Sequence, residues 1–278
     1  MEIMDTYDAI LALAQNTNSC FDENAWRAYA EAVDEGLAQK CLKDSAGYDF
    51  EHEVRPVIEA ALMSKEKLEK AHSSFVAATT GLRERLEQAF GMTFPVKIIL
   101  YLGLCNGAGW ATTLNGKPAV LLGMEKIIEL DWVDNDSMTA LLYHELGHIW
   151  HDAVGTYRRD TATAAEKALW QLYREGVAMY CEQLLSDNFL YGRRDKNGWR
   201  SWCEENRKEL FADYKKRVDG NESTQDFFGD WSSYLGFSDV GYYLGCELIK
   251  NMSQRYSLAE LAKLDTADIA EELRKLAE

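Results

Sequence analysis

One break in an otherwise helical pattern constrains the fold of this chain most. Up to about residue 90, apolar residues recur at three- and four-residue spacing, which predicts helices over about 3–15, 22–42, 53–70 and 72–90. Leu82, Leu86 and Phe90 mark one such face, and Gly91 supplies its stop. At Thr93 the period shortens. Val96-Lys-Ile-Ile-Leu-Tyr-Leu102 is a β-branched, apolar run typical of a strand. Gly107-Ala-Gly-Trp-Ala-Thr-Thr-Leu114 reads as a second strand, Asn115-Gly116 as a two-residue hairpin turn, and Pro118-Ala-Val-Leu-Leu122 as the returning strand. Glycines before Trp110 would weaken a central strand, so this second strand is expected at an edge. Helical period then resumes. The Asp-Asn-Asp-Ser cluster at 134–137 offers an N-cap for a helix over about 138–152, and further helices are expected at 160–186, 199–218, 239–256 and 258–277. There are only three prolines and no internal repeat or low-complexity linker. The expected fold is α+β and mostly helical, with an N-terminal helical region at 1–92 and a second domain at 93–278.

Composition excludes some partners. Hydrophobic residues make up 47% and charged residues 27% of the 278, a globular profile with ample material for a core. Thirty basic against 46 acidic residues give a net charge of −16, which repels phosphate backbones and anionic lipid unless a basic patch intervenes. Arg193, Arg194 and Lys196 form only a short run, expected in a solvated loop, so neither nucleic acid nor membrane is an expected partner. Acids stand near the N-terminus where a signal peptide carries bases, and no 18-residue apolar run occurs. The six cysteines are scattered without a C-x-x-C pair, which suggests reduced thiols and a cytoplasmic location.

Chemistry concentrates in Tyr143-His144-Glu145-Leu146-Gly147-His148, which contains H-E-x-x-H. On a helix, residues four apart lie one turn apart on the same side, so His144 and His148 can both reach one ion about 2 Å from each. Glu145 sits one step round, suited to a metal-activated water and poorly placed to bind the metal itself. Zinc brings the pKa of such a water towards neutrality, and a carboxylate beside it then works as general base and acid. Short patterns arise by chance. Here, however, the motif falls inside a predicted helix after a strand pair, and three of the five histidines lie within eight residues.

Catalytic zinc takes three protein ligands and leaves one position open. His151 is nearest, but a straight helix cannot wrap three side chains round one ion. Glu175, 27 residues after His148 on the next expected helix, is the better candidate. It shares a stripe with Ala168, Leu172, Met179 and Glu182 that is apolar apart from the two acids. A carboxylate buried there needs compensation, which a divalent cation or an arginine supplies. Glu182 and His151 are assigned to the surroundings of the ligands or the pocket wall.

His144-Glu-Leu-Gly-His148 followed by Arg174-Glu-Gly-Val-Ala-Met-Tyr-Cys-Glu182 resembles the gluzincins, zinc peptidases that hold the metal with two histidines and a downstream glutamate. The second segment is similar to the N-E-G-x-A-x-Y-x-E stretch of the aminopeptidase N-like group, with Arg174 in place of the asparagine, and the layout is also similar to that of bacterial zinc-dependent proteases. The resemblance covers about residues 94–250, and its specificity lies in the two helices. It implies a zincin-like catalytic domain within 93–278, its small sheet packed on the H-E-x-x-H helix and helical lobes around it. The implied roles are zinc ligation by His144, His148 and Glu175, general base catalysis by Glu145, and oxyanion stabilisation by a later tyrosine, Tyr242 or Tyr243. Two departures stand out. The interval between the motifs is longer than in the aminopeptidases, and no clear G-x-M-E-N segment holds a substrate amine. Gly109 and Trp110 occupy the corresponding edge strand without an acid, and Gly123-Met-Glu125 reads as an accidental partial match.

The expected function is therefore zinc-dependent hydrolysis of a peptide or protein substrate, internal or terminal. Its rivals are a zincin-like zinc protein that binds without cleaving, and an acidic helical interaction protein in which the motif is accidental.

Overall fold

Strand burial explains the sheet. A computed structural model describes residues 1–188, 191, 195–229 and 231–278; Arg193 and Arg194 of the short basic run lie outside them. Strands β1 (Glu2–Asp5), β2 (Lys97–Tyr101), β3 (Gly109–Leu114) and β4 (Lys117–Gly123) form a sheet in the order β1-β2-β4-β3. β2 pairs in parallel with both β1 and β4, whereas β3 is antiparallel to β4. In β2, Ile98, Ile99, Leu100 and Tyr101 have no exposed surface, and neither do Ala119, Val120, Leu121 and Leu122 of β4. Uninterrupted apolar runs of this kind belong to central strands covered on both faces. The hairpin turn forms as its sequence predicts, with Asn115 at φ 48° and Gly116 at φ 75°, the left-handed pair of a type I′ turn. The glycine-bearing strand β3 takes the expected edge.

The other edge corrects the expectation of an entirely helical N-terminus. Residues 2–5 pair with β2, Ile3 opposite Ile98 and Met4 opposite Ile99, and the first helix, α1, starts only at Tyr7 (Tyr7–Asn16). These four residues show no alternation of burial, so the pairing comes from the free edge of β2 and not from their own pattern. This ladder crosses the expected 92/93 boundary. Two compact units divide within a later helix, one spanning Met1–Glu145 and the other Leu146–Glu278.

In the first unit, two of the expected helices, 22–42 and 72–90, break at glycines, and the one over 53–70 breaks at Ser64. The 22–42 segment becomes α2 (Glu23–Val33) and α3 (Leu37–Asp44), separated at Gly36 with φ 78°. The intervening Asp34 is buried; its carboxylate pairs with Lys97 of β2 and accepts Asn115 Nδ2 from the hairpin turn at 2.8 Å. Helices α4 (Arg55–Met63), α5 (Lys65–Thr79), α6 (Leu82–Phe90) and α7 (Met124–Glu129) complete this unit with the first half of α8 (Asn135–Val154). The second unit holds the rest of α8 with α9 (Ala164–Ser186), α10 (Trp199–Glu205), α11 (Arg207–Asp219), α12 (Val240–Met252), α13 (Leu258–Leu261) and α14 (Thr266–Ala277). Thr163 and Glu166 form a capping box that starts α9. Gly176 of α9 and Gly245 of α12 face each other closely: a Cβ on Gly176 would lie 2.3 Å from the Gly245 carbonyl oxygen. The fold is thus α+β, mostly helical, with a small mixed sheet. Among the described residues, no helix is long and apolar enough to cross a membrane.

The loop between β2 and β3 is folded around Glu125, which has no exposed surface and accepts the amides of Gly103 at 2.7 Å and Cys105 at 3.1 Å. Burial pushes its pKa up to about 7, against the opposing pull of those amides. The native state therefore keeps a proton that the unfolded chain releases above its ordinary carboxyl pKa near 4.5. Its contribution to stability is present at low pH and is lost as pH rises towards 7. Glu125→Gln removes this slope: between pH 5 and pH 8, denaturation free energies of the wild type should fall relative to the variant by on the order of 3 kcal/mol.

Candidate metal centre

Helix α8 starts as its sequence predicts, with the Asp134 carboxylate accepting the Ser137 amide at 2.9 Å. From Leu141 to His151 the helix is buried at every residue. His144, Glu145 and His148 are therefore held in a water-poor setting, at 3%, 7% and 7% exposure. On α9 the stripe of Ala168, Leu172, Glu175, Met179 and Glu182 is buried along its length.

Gly147 lets the two helices approach. A Cβ there would lie 2.8 Å from Cys181 Cβ and 3.0 Å from Ala178 Cα, both on α9 and neither able to swing aside. Glu175 stands three residues before Ala178 on the same helix, one turn away. The result is a buried group in which one ligand atom from each of His144, His148 and Glu175 lies within 4.8 Å of the others. His148 Nε2 and Glu175 Oε2 are 3.3 Å apart. Two ligands each about 2.1 Å from a tetrahedral ion stand about 3.4 Å from each other, so this spacing suits a shared metal. Two imidazoles and one carboxylate are also the donor set of a zinc site with an open position, and a divalent cation offsets the cost of burying Glu175.

Glu145 points elsewhere. Its Oε2 accepts the main-chain N–H of Ala111 on edge strand β3 at 2.8 Å. Its Oε1 lies over Gly109, where a Cβ would be only 2.6 Å away. Gly109 therefore has a steric duty that any side chain would violate, and Ala111 contributes through its backbone alone. The adjoining Trp110 ring carries the Lys40 ammonium 4.7 Å from its centroid.

His151 belongs to the core. It is fully buried, and its Nε2 lies 3.1 Å from the Tyr173 hydroxyl, whose proton goes to the Leu261 carbonyl at 2.7 Å. The imidazole must then donate through Nε2–H, which withdraws that nitrogen from ligation. Burial above all, with His148 and Arg174 adding to it, pushes its pKa down to about 3. Glu182 is buried two turns beyond Glu175 on the same helix. Tyr243 is packed against Tyr191 and Trp199, with ring centroids at 5.5 and 6.3 Å. Tyr242 is half-buried against Phe228. Glu125, read as an accidental match, holds the loop ahead of β3.

Three contributors escaped the sequence reading: Gly147, the Ala111 amide and Tyr157, whose ring centroid is 5.6 Å from that of His148. For Gly147 a signal existed, because a glycine inside a helix costs about 1 kcal/mol and implies a packing reason. For the Ala111 amide none existed, since a backbone group has no residue-type signature. Comparison of the chain with protein-family models, curated proteins and solved structures finds no match.

Gly147→Val should force α8 and α9 apart. Overpacking of about 1–3 kcal/mol outweighs any helix-propensity gain over glycine. The expected outcome is a lowered melting temperature together with loss of tight zinc binding in equilibrium dialysis.

Proposed function

We propose that this chain is a zinc-dependent peptidase of gluzincin type, with a zincin-like core formed by its sheet and the H-E-x-x-H helix. The observation that carries the reading is the buried grouping of His144, His148 and Glu175, with 3.3 Å between His148 Nε2 and Glu175 Oε2. Those three side chains would hold the ion. Bound there, zinc would supply Lewis acidity towards a substrate carbonyl and towards water.

Glu145 would be the proton carrier. Its Oε2 is fixed by the Ala111 amide, which sets the carboxylate plane and leaves the group able to take a proton from water and return it to the departing amine nitrogen. The same hydrogen bond ties the general base to an edge strand, the element on which an extended peptide adds by main-chain pairing. Tyr242 or Tyr243 would steady the substrate oxygen; Tyr242 is the one we favour, because the Tyr243 ring is engaged in the aromatic cluster with Tyr191 and Trp199. Substrate peptides, not nucleic acids, suit a chain of net charge −16.

Two measurements test this. Chain freed of metal by chelation should take up one zinc per molecule and gain about 2.7 kcal/mol of stability at a hundredfold excess over its dissociation constant. No uptake would sink the reading. Glu145→Gln should retain the zinc and lose about 10²- to 10⁴-fold in peptide hydrolysis. Retained hydrolysis would remove Glu145 from its role, and zinc uptake with no hydrolysis by the wild type would leave a metal-binding protein without peptidase activity.

A further inference from the structure

Beside the ligand helices lies an open pocket of about 430 Å³ lined by Tyr157, Arg158, Arg159, Asp160 and Arg174. Three arginines against one aspartate make its lining cationic in a chain that carries −16 overall. In so acidic a molecule an arginine is expected to find a carboxylate. Arg158 does, in a forked contact with Asp152 at 2.7–3.0 Å. Among the described residues neither Arg174 nor Arg159 forms a contact ion pair, although Arg159 lies close enough to Glu166 and Asp265 for its charge to act on both carboxylates. Arg174 lies with its guanidinium carbon 4.9 Å from the Tyr157 ring centroid, and its Nε is buried without a hydrogen-bond partner. Arg159 lies over the Trp170 ring at 5.4 Å.

The wall of the pocket is held firmly. Thr156 donates its amide to the Ala262 carbonyl at 2.9 Å and its hydroxyl to the Leu264 carbonyl at 2.9 Å, while Trp170 Nε1 donates to the Tyr157 carbonyl at 3.1 Å. Gly155 packs so closely that a Cβ would lie 1.8 Å from the Ala262 oxygen. Arg159 in this fixed loop lies over Trp170 of α9, and Arg174 of α9 lies over Tyr157 of the loop, so both guanidiniums are pre-organised by aromatic rings. The pocket also adjoins the metal ligands: Tyr157 reaches the His148 ring at 5.6 Å, and Arg174 immediately precedes Glu175.

We propose that Arg174 and Arg159 form a carboxylate-binding subsite, so that the preferred substrates are peptides with a carboxylate near the bond to be cut. The carboxylate is either the free C-terminus or an acidic side chain. The inference rests on the peptidase reading for its substrate class, but the subsite itself is a property of these arginines. Arg–carboxylate pairs are commonly bidentate, and hydrogen bonds to charged groups in a partly buried site correspond to about tenfold or more in affinity.

The test is binding to the zinc-loaded chain, by titration calorimetry, of N-acetyl-trialanine as free acid and as amide, and of an amidated tripeptide with a central Asp against its Asn counterpart. Hydrolysis of the same four peptides is followed by amine release. An advantage of about tenfold for the free acid over its amide assigns the subsite to a C-terminus, and the same advantage for the Asp peptide assigns it to a side chain. That advantage should collapse in Arg174→Gln and in Arg159→Gln, and persist in Arg158→Gln, whose charge Asp152 already satisfies. Two variants are used so that a folding defect in one does not decide the result. Equal binding of acidic and neutral peptides, no measurable binding of either acidic peptide, or an advantage that survives both substitutions would overturn the subsite. Equal binding with hydrolysis intact overturns the subsite and leaves the peptidase standing. A carboxylate preference without hydrolysis does the reverse.

Discussion

The approach of α8 to α9 at Gly147 is the contact on which the rest of the candidate centre depends. With no side chain at Gly147, the Cβ of Cys181 and the Cα of Ala178 occupy the space a methyl group would need. That closeness brings the Glu175 carboxylate to His148 across the helix pair, at a separation suited to a shared ion. Protein interiors are packed nearly as densely as molecular crystals, so a shift of one methyl group at this contact passes directly to the ligand atoms. The same economy of side chains recurs where α9 meets α12, at Gly176 and Gly245. Helix α9 is thus closely packed on α8 at one position and on α12 at another, and its buried acids have little freedom to move.

Two carboxylates of the first unit show how environment separates roles. Glu125 is buried in the first turn of α7 and accepts two loop amides, and burial pushes its pKa up to about 7. Its work is to shape the segment that leads into β3. Glu145 is nearly as buried, yet it meets β3 through one amide and lies over a glycine. Both depend on backbone N–H groups and on glycines that leave room, Gly103 and Gly123 beside Glu125 and Gly109 beside Glu145.

Charge carries more information in its local exceptions than in its total. The net −16 makes polyanions unfavourable partners. Against that background, Arg174 and Arg159, which lie over Tyr157 and Trp170 without a contact ion pair among the described residues and close to His148, are a basic feature that the overall charge does not anticipate.

What the sequence determined by itself is local. The type I′ turn at Asn115-Gly116, the edge position of β3, the Asp134 cap and the i, i+4 pairing of His144 with His148 involve residues within one turn or one short loop of each other, where backbone geometry leaves few alternatives. The buried stripe on α9 was legible for the same reason, since a 3.6-residue period repeats along it. The remaining features needed the tertiary structure. Strand β1 forms because β2 presents an open edge 92 or more residues later, although Glu2–Asp5 carry no strand pattern of their own. The breaks at Gly36 and Gly81 divide runs whose periodicity looks continuous. The tertiary structure gives His151 its hydrogen-bond partner Tyr173 and sets the Tyr243 ring against Trp199. Which carboxylate reaches the histidines, which amide holds Glu145 and which rings the arginines lie over are settled between segments that are not sequence neighbours. Such contacts follow from how closely helices and strands can pack, and no local pattern encodes that distance.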